Sequence, residues 1–193
     1  MTDAEENWDK IYASGFHNVS VAGVLAQNVH LIGSHGLALD IACGKGANAF
    51  FLARLGMRVH AWDISTVAIE QLAEKAARLE ADIEARSLDI KGDLLPDNSY
   101  DLILNCHYLD RQLTPAIKSA LKPGGKIVFQ TFTMEKRAKV GPTNPEFLLK
   151  KDELLRMFSG FEIQLYKDES QNLNPDDPLC GRACIIAKKP KQH

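Results

Sequence analysis

Two carboxylates and two glycines dominate the chemistry written into this chain. The stretch Asp40-Ile-Ala42-Cys-Gly44-Lys-Gly46-Ala-Asn48 carries an acid, then a turn whose backbone is bare at Gly44 and Gly46. Glycine is needed where the chain must adopt unusual torsions or approach a ligand closely. An apolar run precedes Asp40 and a helix-forming run follows Gly46, so the turn delivers free backbone N–H groups at a helix start. A phosphate would suit that spot. A carboxylate four residues ahead of Gly44 would repel one, and it suits a cationic or amino-bearing ligand better. A second acid, Asp63, closes the apolar run Val59-His60-Ala61-Trp62 and is placed to accept hydrogen bonds from both hydroxyls of a ribose.

These residues need a scaffold, and the hydrophobic pattern supplies one. Residues 5–13 and 19–32 read as helices. Strand and helix patterns then alternate: strand 37–41, helix 46–55, strand 58–63, a helix capped by Ser65 and running to Leu79, strand 83–88, strand 100–105, helix 113–121, a Pro123-Gly124-Gly125 turn and strand 126–132. A helix over 152–158 precedes two last strands, 161–166 and 182–187. No helix separates those two, so they are expected to pair antiparallel, because a parallel pair needs a crossover. The prediction is an α/β fold, a mostly parallel, doubly wound sheet with helices on both faces, closed by a hairpin.

Bulk composition narrows the function classes. At 193 residues the chain is expected to form a single domain, with 1–33 as a helical cap and 34–193 as the core. The net charge of −2 gives no polyanion-binding surface, so no nucleic-acid partner is expected. No apolar run reaches membrane-spanning length and the start is acidic rather than signal-like, so a cytoplasmic protein with no membrane partner is expected. The four cysteines, Cys43, Cys106, Cys180 and Cys184, match no metal or redox spacing; they read as reduced thiols, and no metal is expected.

In open parallel sheets ligands bind beyond the carboxyl ends of the strands. The residues there are the glycine turn, Asp63 with Ile64, Asp89 with Ile90, and Asn105-Cys106-His107. Gly44-x-Gly46-x-x-Ala49 also fits a loose dinucleotide fingerprint, which keeps a nicotinamide oxidoreductase as an alternative. Against it stand Asp40 beside the phosphates, the terminal hairpin, and the lack of a second mononucleotide-binding half.

Asp40-Ile-Ala-Cys-Gly44-Lys-Gly46 resembles motif I of the class I S-adenosylmethionine-dependent methyltransferases. Tyr100-Asp101-Leu-Ile-Leu resembles their fourth-strand motif, and Leu121-Lys-Pro123-Gly124-Gly125-Lys-Ile-Val the turn into their fifth strand. Ala42 stands where that family often has glycine. The resemblance implies a Rossmann-like, seven-stranded sheet of order 3-2-1-4-5-7-6 with strand 7 antiparallel. It implies S-adenosyl-L-methionine as cofactor and S-adenosyl-L-homocysteine as its product. It further implies that Asp40 lies near the methionine ammonium, that backbone groups around Ala42, Gly44 and Gly46 line the amino acid and ribose, that Asn48 and Asn105 are cofactor-binding, and that Asp63 takes the ribose hydroxyls. Ile64 would pack on the adenine, Asp89 and Ile90 would read its edge, and Trp8 and Tyr12 would close the site from above.

A narrower resemblance, to the tellurite-resistance methyltransferases, rests on Trp8-Asp-Lys-Ile-Tyr12, on Gly44-Lys-Gly46-Ala-Asn48 with Ala61-Trp62-Asp63, and on Lys151-Asp-Glu-Leu-Leu with Phe158. Where members of that group can carry a His-Arg pair before the last strand, this chain reads Glu169-Ser170-Gln171-Asn172. The resemblance implies a small-molecule acceptor, either a tellurite- or selenite-type oxyanion or a compact organic nucleophile, and a monomer or homodimer. His107 follows the fourth strand and could act as base near neutral pH. Arg111, Arg182 and Arg137 are candidates to hold an anionic acceptor. Residues 133–147, stiffened by Gly141-Pro142 and Asn144-Pro145, are expected to form a lid, and the polar loop 168–178 to be mobile. A non-catalytic cofactor-binding sensor is the enzyme-free alternative.

Overall fold

The computed structural model describes residues 2–15 and 20–191. The first helix is α1 (Asp3–Ala13). It starts two residues ahead of the expected boundary because Thr2 and Glu5 form a reciprocal capping box. The second expected helix, 19–32, is broken. Val19 lies outside the described residues. The remainder forms a short helix, α2 (Gly23–Gln27), and a 3-10 turn over Val29–Leu31. Ala22 offers no side-chain cap, and Asn28, at φ −130°, leaves the helical region between the two pieces.

The alternation then runs β1 (Leu37–Ile41), α3 (Ala47–Arg54), β2 (Arg58–Asp63), α4 (Thr66–Arg78), β3 (Ile83–Ser87), β4 (Tyr100–Cys106), α5 (Thr114–Ala120), β5 (Leu121–Phe132), α6 (Glu153–Met157), β6 (Glu162–Asp168) and β7 (Arg182–Lys188). These strands form one seven-stranded sheet of order β3-β2-β1-β4-β5-β7-β6. Only β7 runs antiparallel to its neighbours β5 and β6. The expected Pro-Gly-Gly turn lies inside β5, where Tyr100 pairs with Leu121 and Leu102 with Lys126. Gly124 takes φ +81°, so the chain loops out between those two pairings without leaving the ladder.

Alternation along each strand divides the core in two. Ala38, Val59, Ala61, Leu102, Leu104 and Val128 pack with Leu25, Leu52, Ile69 and Leu72, covered by α2, α3 and α4. Leu39, Ile41, Ile103, Ile127 and Phe129 pack with Leu113, Ile117, Leu154 and Phe158, covered by α5 and α6. Both faces are buried, as a parallel sheet requires. Asp40 shares parity with Ala38, so its carboxyl is driven toward the α3 side rather than into solvent.

No helix among the described residues is long and apolar enough to cross a membrane. Among the same residues, no cluster of His, Cys, Asp or Glu could hold a metal ion. The segment 168–178 is tied down by side-chain turns. Asp168 accepts from the Ser170 N–H, Asn172 from the Asn174 N–H, and Asp177 from both the Asn172 amide and the Leu179 N–H.

Candidate active site

The turn after β1 is built from left-handed torsions: φ is +53° at Ala42, +53° at Gly44 and +78° at Gly46. For alanine this region costs roughly 1–2 kcal/mol, which accounts physically for the preference for glycine at the Ala42 position. The turn is pinned by the Cys43 N–H donating to the Trp62 carbonyl at 3.0 Å and the Gly46 N–H to the Cys43 carbonyl at 2.9 Å. A Cβ on Gly44 would sit 2.5 Å from the Tyr12 hydroxyl, and one on Gly46 2.4 Å from Leu72 Cδ1. Gly44 therefore meets α1, and Gly46 meets α4. Gly44→Ala is expected to displace Tyr12 and with it the stacked Trp8 ring, 5.8 Å away. The expected readout is a shift in Trp8 fluorescence together with a stability loss of about 1–2 kcal/mol. An unchanged emission spectrum would show that α1 tolerates the extra atom.

Asp63 is the hub of the site. Its Oδ2 accepts from the Gly44 N–H at 2.8 Å and its Oδ1 from the Ser65 N–H at 2.9 Å. The Ile64 N–H also faces the carboxylate. Ser65 caps α4 through the Ala68 N–H and donates its hydroxyl to Asp9 on α1. Asp9 also accepts from the Val67 N–H at 3.1 Å, so an anion of α1 sits on the first turn of α4, where the helix dipole favours it. That clamp holds α1 over the site.

Asp40 is 1 % exposed. The Ala49 N–H faces it, yet its Oδ2 has no hydrogen-bond partner. Burial, then the nearby Asp63 charge, pushes its pKa up to about 8. Asp63 is also raised, by burial first, against the pull of its backbone donors. Burial likewise raises the Cys43 and Cys106 thiols, so both stay protonated at neutral pH and neither is an activated nucleophile.

A cavity of about 290 Å³ opens beyond the carboxyl ends of β1, β2 and β4. Trp8, Tyr12, Ala42, Gly44, Asn48, Asp63, Ile64, Asp89, Ile90 and His107 all line it. Asn48 also accepts the Ala22 N–H at 2.8 Å, which pins the segment leading into α2 against the cavity. At one end Ile64, Leu88 and Ile90 form an apolar slot, with Asp89 paired to Lys91 at 2.7 Å on its rim. At the other end stand Cys106, His107 and Tyr108. His107 holds φ +63°, and its ring lies 5.6 Å from that of Phe132.

Other expected site residues lie elsewhere. Asp40, Gly46 and Asn105 are behind the cavity wall, supporting it from beneath. Arg111 faces away: its guanidinium donates to both oxygens of Glu153 and to the carbonyls of Glu146 and Leu148. It ties down the chain ahead of α6. Arg182 stacks 4.2 Å over the Phe132 ring and donates to the Cys180 carbonyl, one strand removed from the cavity. The backbone N–H of Arg137 donates to the Ser170 carbonyl. The expected lid, 133–147, does not line the cavity; Gly141 packs against Phe132, and the covering element is α1. Lining residues that sequence reasoning missed include Ser20, Lys45, Leu88 and Tyr108. Lys45 stands between the two turn glycines, and Tyr108 beside His107, so proximity to the motifs was the available signal.

A sequence profile described as a methyltransferase domain matches residues 38–125, from β1 through the turn in β5. Over those residues the chain is similar to methyltransferase domains. Its strand order, β3-β2-β1-β4-β5-β7-β6, is the one that the sequence resemblance implies. The chain is 36% identical over 96 residues to a cypemycin N-terminal methyltransferase of a Streptomyces species, covering 45% of this chain and 38% of that protein. It is 24% identical over 162 residues to the probable S-adenosyl-L-methionine-dependent methyltransferase TehB of Haemophilus influenzae, covering 78% of this chain and 56% of TehB. The chain thus spans about half the length of such relatives or less. The crystal structure of that TehB superposes with a TM-score of 0.70 at 21% identity, over 94% of this chain and 67% of TehB. A geranyl diphosphate C-methyltransferase from Streptomyces coelicolor, solved with S-adenosyl-L-homocysteine bound, superposes at 0.64 and 18% identity, over 86% and 73% of the two chains. At these identities the two superpositions establish the shared fold.

Proposed function

We propose that this chain is a methyltransferase that binds S-adenosylmethionine and promotes direct transfer of its methyl group to a small acceptor. The carrying observation is the pair of buried carboxylates around the glycine turn, Asp63 facing the cavity and Asp40, with an unpartnered oxygen, beneath it. Buried carboxylate oxygens call for donors or cations, and the cofactor brings an ammonium, a sulfonium and two ribose hydroxyls. The cofactor supplies an activated methyl group when bound. The chain supplies position and exclusion of water, which together can contribute on the order of 7–11 kcal/mol.

In this reading Asp63 takes the ribose hydroxyls at its cavity-facing edge, and Asp40 balances the ammonium from behind the turn. Ile64, Leu88 and Ile90 hold the adenine, with Asp89 at its edge. Trp8 and Tyr12 on α1 cover the cation with aromatic faces, a favourable pairing. The acceptor enters beside His107 and Tyr108. The cavity suits a small molecule, and the likeness to the tellurite-resistance group favours a chalcogen oxyanion or a compact organic nucleophile.

The test joins calorimetric titration with a methylation screen of selenite, tellurite, thiols and halides, read by volatile-product detection. The expected result is tight binding of S-adenosylmethionine and S-adenosylhomocysteine with turnover of at least one acceptor. Binding without turnover across the panel would favour a sensor. Tight NAD binding without S-adenosylmethionine binding would overturn the reading.

A further inference from the structure

We propose that α1 is a lid that undocks from the body to admit the ligand, and that Asp9 is its latch, closing on Ser65. At about 290 Å³ the cavity falls at the small end of ligand sites, which run from roughly 300 to 1,000 Å³, so a nucleoside-bearing ligand needs part of the wall to give way. Most of that wall is fixed. The ends of β1, β2 and β4 belong to the sheet, and backbone hydrogen bonds pin the glycine turn. α1 supplies Ala4, Trp8 and Tyr12 to the lining, yet Tyr12 alone of its 11 residues is buried.

The seat of α1 on α4 is polar. Asp9 accepts from the Ser65 hydroxyl and from the Val67 N–H at 3.1 Å, and Glu5 accepts from the Thr66 hydroxyl at 3.4 Å. Water can take over such bonds as the helix lifts, and an element with few buried apolar contacts opens at lower free energy than the core. Beyond the C-cap, Ser14, the chain continues through Gly15 at φ +74°. Nothing stands within 4 Å of where a Cβ there would lie, so its torsions can change without collision. Ser65 joins the latch to the site, because its hydroxyl reaches Asp9 while its N–H holds Asp63 Oδ1. A ligand between Asp63 and α1 therefore favours the docked helix, and by reciprocity a stronger latch tightens the ligand.

The lid follows from these contacts; the identity of its ligand as S-adenosylmethionine rests on the methyl-transfer reading above.

The experiment is hydrogen exchange read by mass spectrometry on the wild type, Asp9→Ala and Asp9→Asn, each without ligand and with S-adenosylhomocysteine. An isolated helix of 11 residues is marginal in water, so undocked α1 melts and its amides exchange. In the wild type α1 is expected to exchange well ahead of β1 and β4. Asp9→Ala is expected to speed α1 exchange about tenfold relative to β1 and β4, the scale of hydrogen bonds lost from a charged group. Alanine is the better helix former, so propensity alone would slow exchange and cannot mimic that result. Asp9→Asn keeps an acceptor oxygen for Ser65 and Val67 and is expected to fall between the two. S-adenosylhomocysteine is expected to slow α1 exchange, and to dissociate about tenfold faster from Asp9→Ala than from the wild type. Exchange of α1 in step with β1 and β4 would overturn the proposal, as would equal α1 exchange in the wild type and Asp9→Ala, or bound S-adenosylhomocysteine that leaves α1 unslowed. The first two results are read without ligand. Failure of S-adenosylhomocysteine to bind would strike the methyl-transfer reading and leave the lid to those two, so either can fail alone.

Discussion

Asp63→Ala is expected to weaken S-adenosylmethionine binding by roughly ten- to a hundredfold and to lower the thermal midpoint as well. The carboxylate accepts the Gly44 and Ser65 N–H groups, at 2.8 Å and 2.9 Å, from a buried position. Deleting it leaves two buried donors without their partner, at about 1–3 kcal/mol each. Those donors anchor the glycine turn and the first turn of α4, on which Asp9 of α1 is clamped. Damage at Asp63 therefore spreads to the helix that covers the cavity. The binding term is separate. Hydrogen bonds from ribose hydroxyls to a charged oxygen contribute roughly 1.5–3 kcal/mol, and every 1.4 kcal/mol is tenfold in affinity. Asp63→Asn is expected to recover little, because its amide nitrogen would face one of the two N–H donors. Calorimetric titration beside thermal melts separates the effects. A lowered midpoint with an unchanged dissociation constant would leave Asp63 as a clamp only and move the ribose elsewhere.

That double role marks how far the sequence could be read. Asp63 at the end of an apolar run was legible as a ligand-facing acid, because strand ends carry sites in this architecture. Its grip on the Gly44 N–H was not, since it depends on how β2 sits beside the glycine turn. The closing hairpin was legible because a parallel pair would have needed a crossover helix. Strand order 3-2-1-4-5-7-6 came with the family resemblance and agrees with the sheet found. Arg111 shows the opposite case. An arginine four residues beyond His107 looked available for an anion, and only the fold brings Glu153 onto its Nε and Nη2. The 133–147 segment had the stiff corners of a lid, yet Phe132 and the chain around Ser170 and Gly181 take up its contacts. Tyr12 was expected to close the site on resemblance alone; the physical reason is the bare face of Gly44 beneath its hydroxyl.

Asp40 carries the strongest pH signature expected of this domain. Its carboxyl titrates near 8 in the folded chain against a reference value of 3.8, with burial as the main cause and Asp63 as the second. Between those two values the folded protein binds a proton that the unfolded chain has released. Stability of the ligand-free protein therefore falls as pH rises through that window, by at most about 1.4 kcal/mol per pH unit for this one group, and levels off above about 8. The raised pKa of Asp63 acts with the same sign. Asp40→Asn removes the Asp40 share. Its ligand-free form is expected to melt above the wild type in mildly alkaline buffer, with a flatter pH profile. A bound cation reverses the balance, because an ammonium beside Asp40 favours the carboxylate. S-adenosylmethionine binding near neutral pH is therefore expected to release protons, visible as a dependence of the calorimetric heat on the buffer's ionisation enthalpy, and to tighten as pH approaches 8. In Asp40→Asn that proton release should fall and affinity should drop, even though the protein itself is more stable. This opposition, a variant that gains stability and loses ligand, is what a buried carboxylate reserved for a cation predicts and what a merely structural aspartate does not. A wild type with a flat stability profile and no proton release would remove Asp40 from the site.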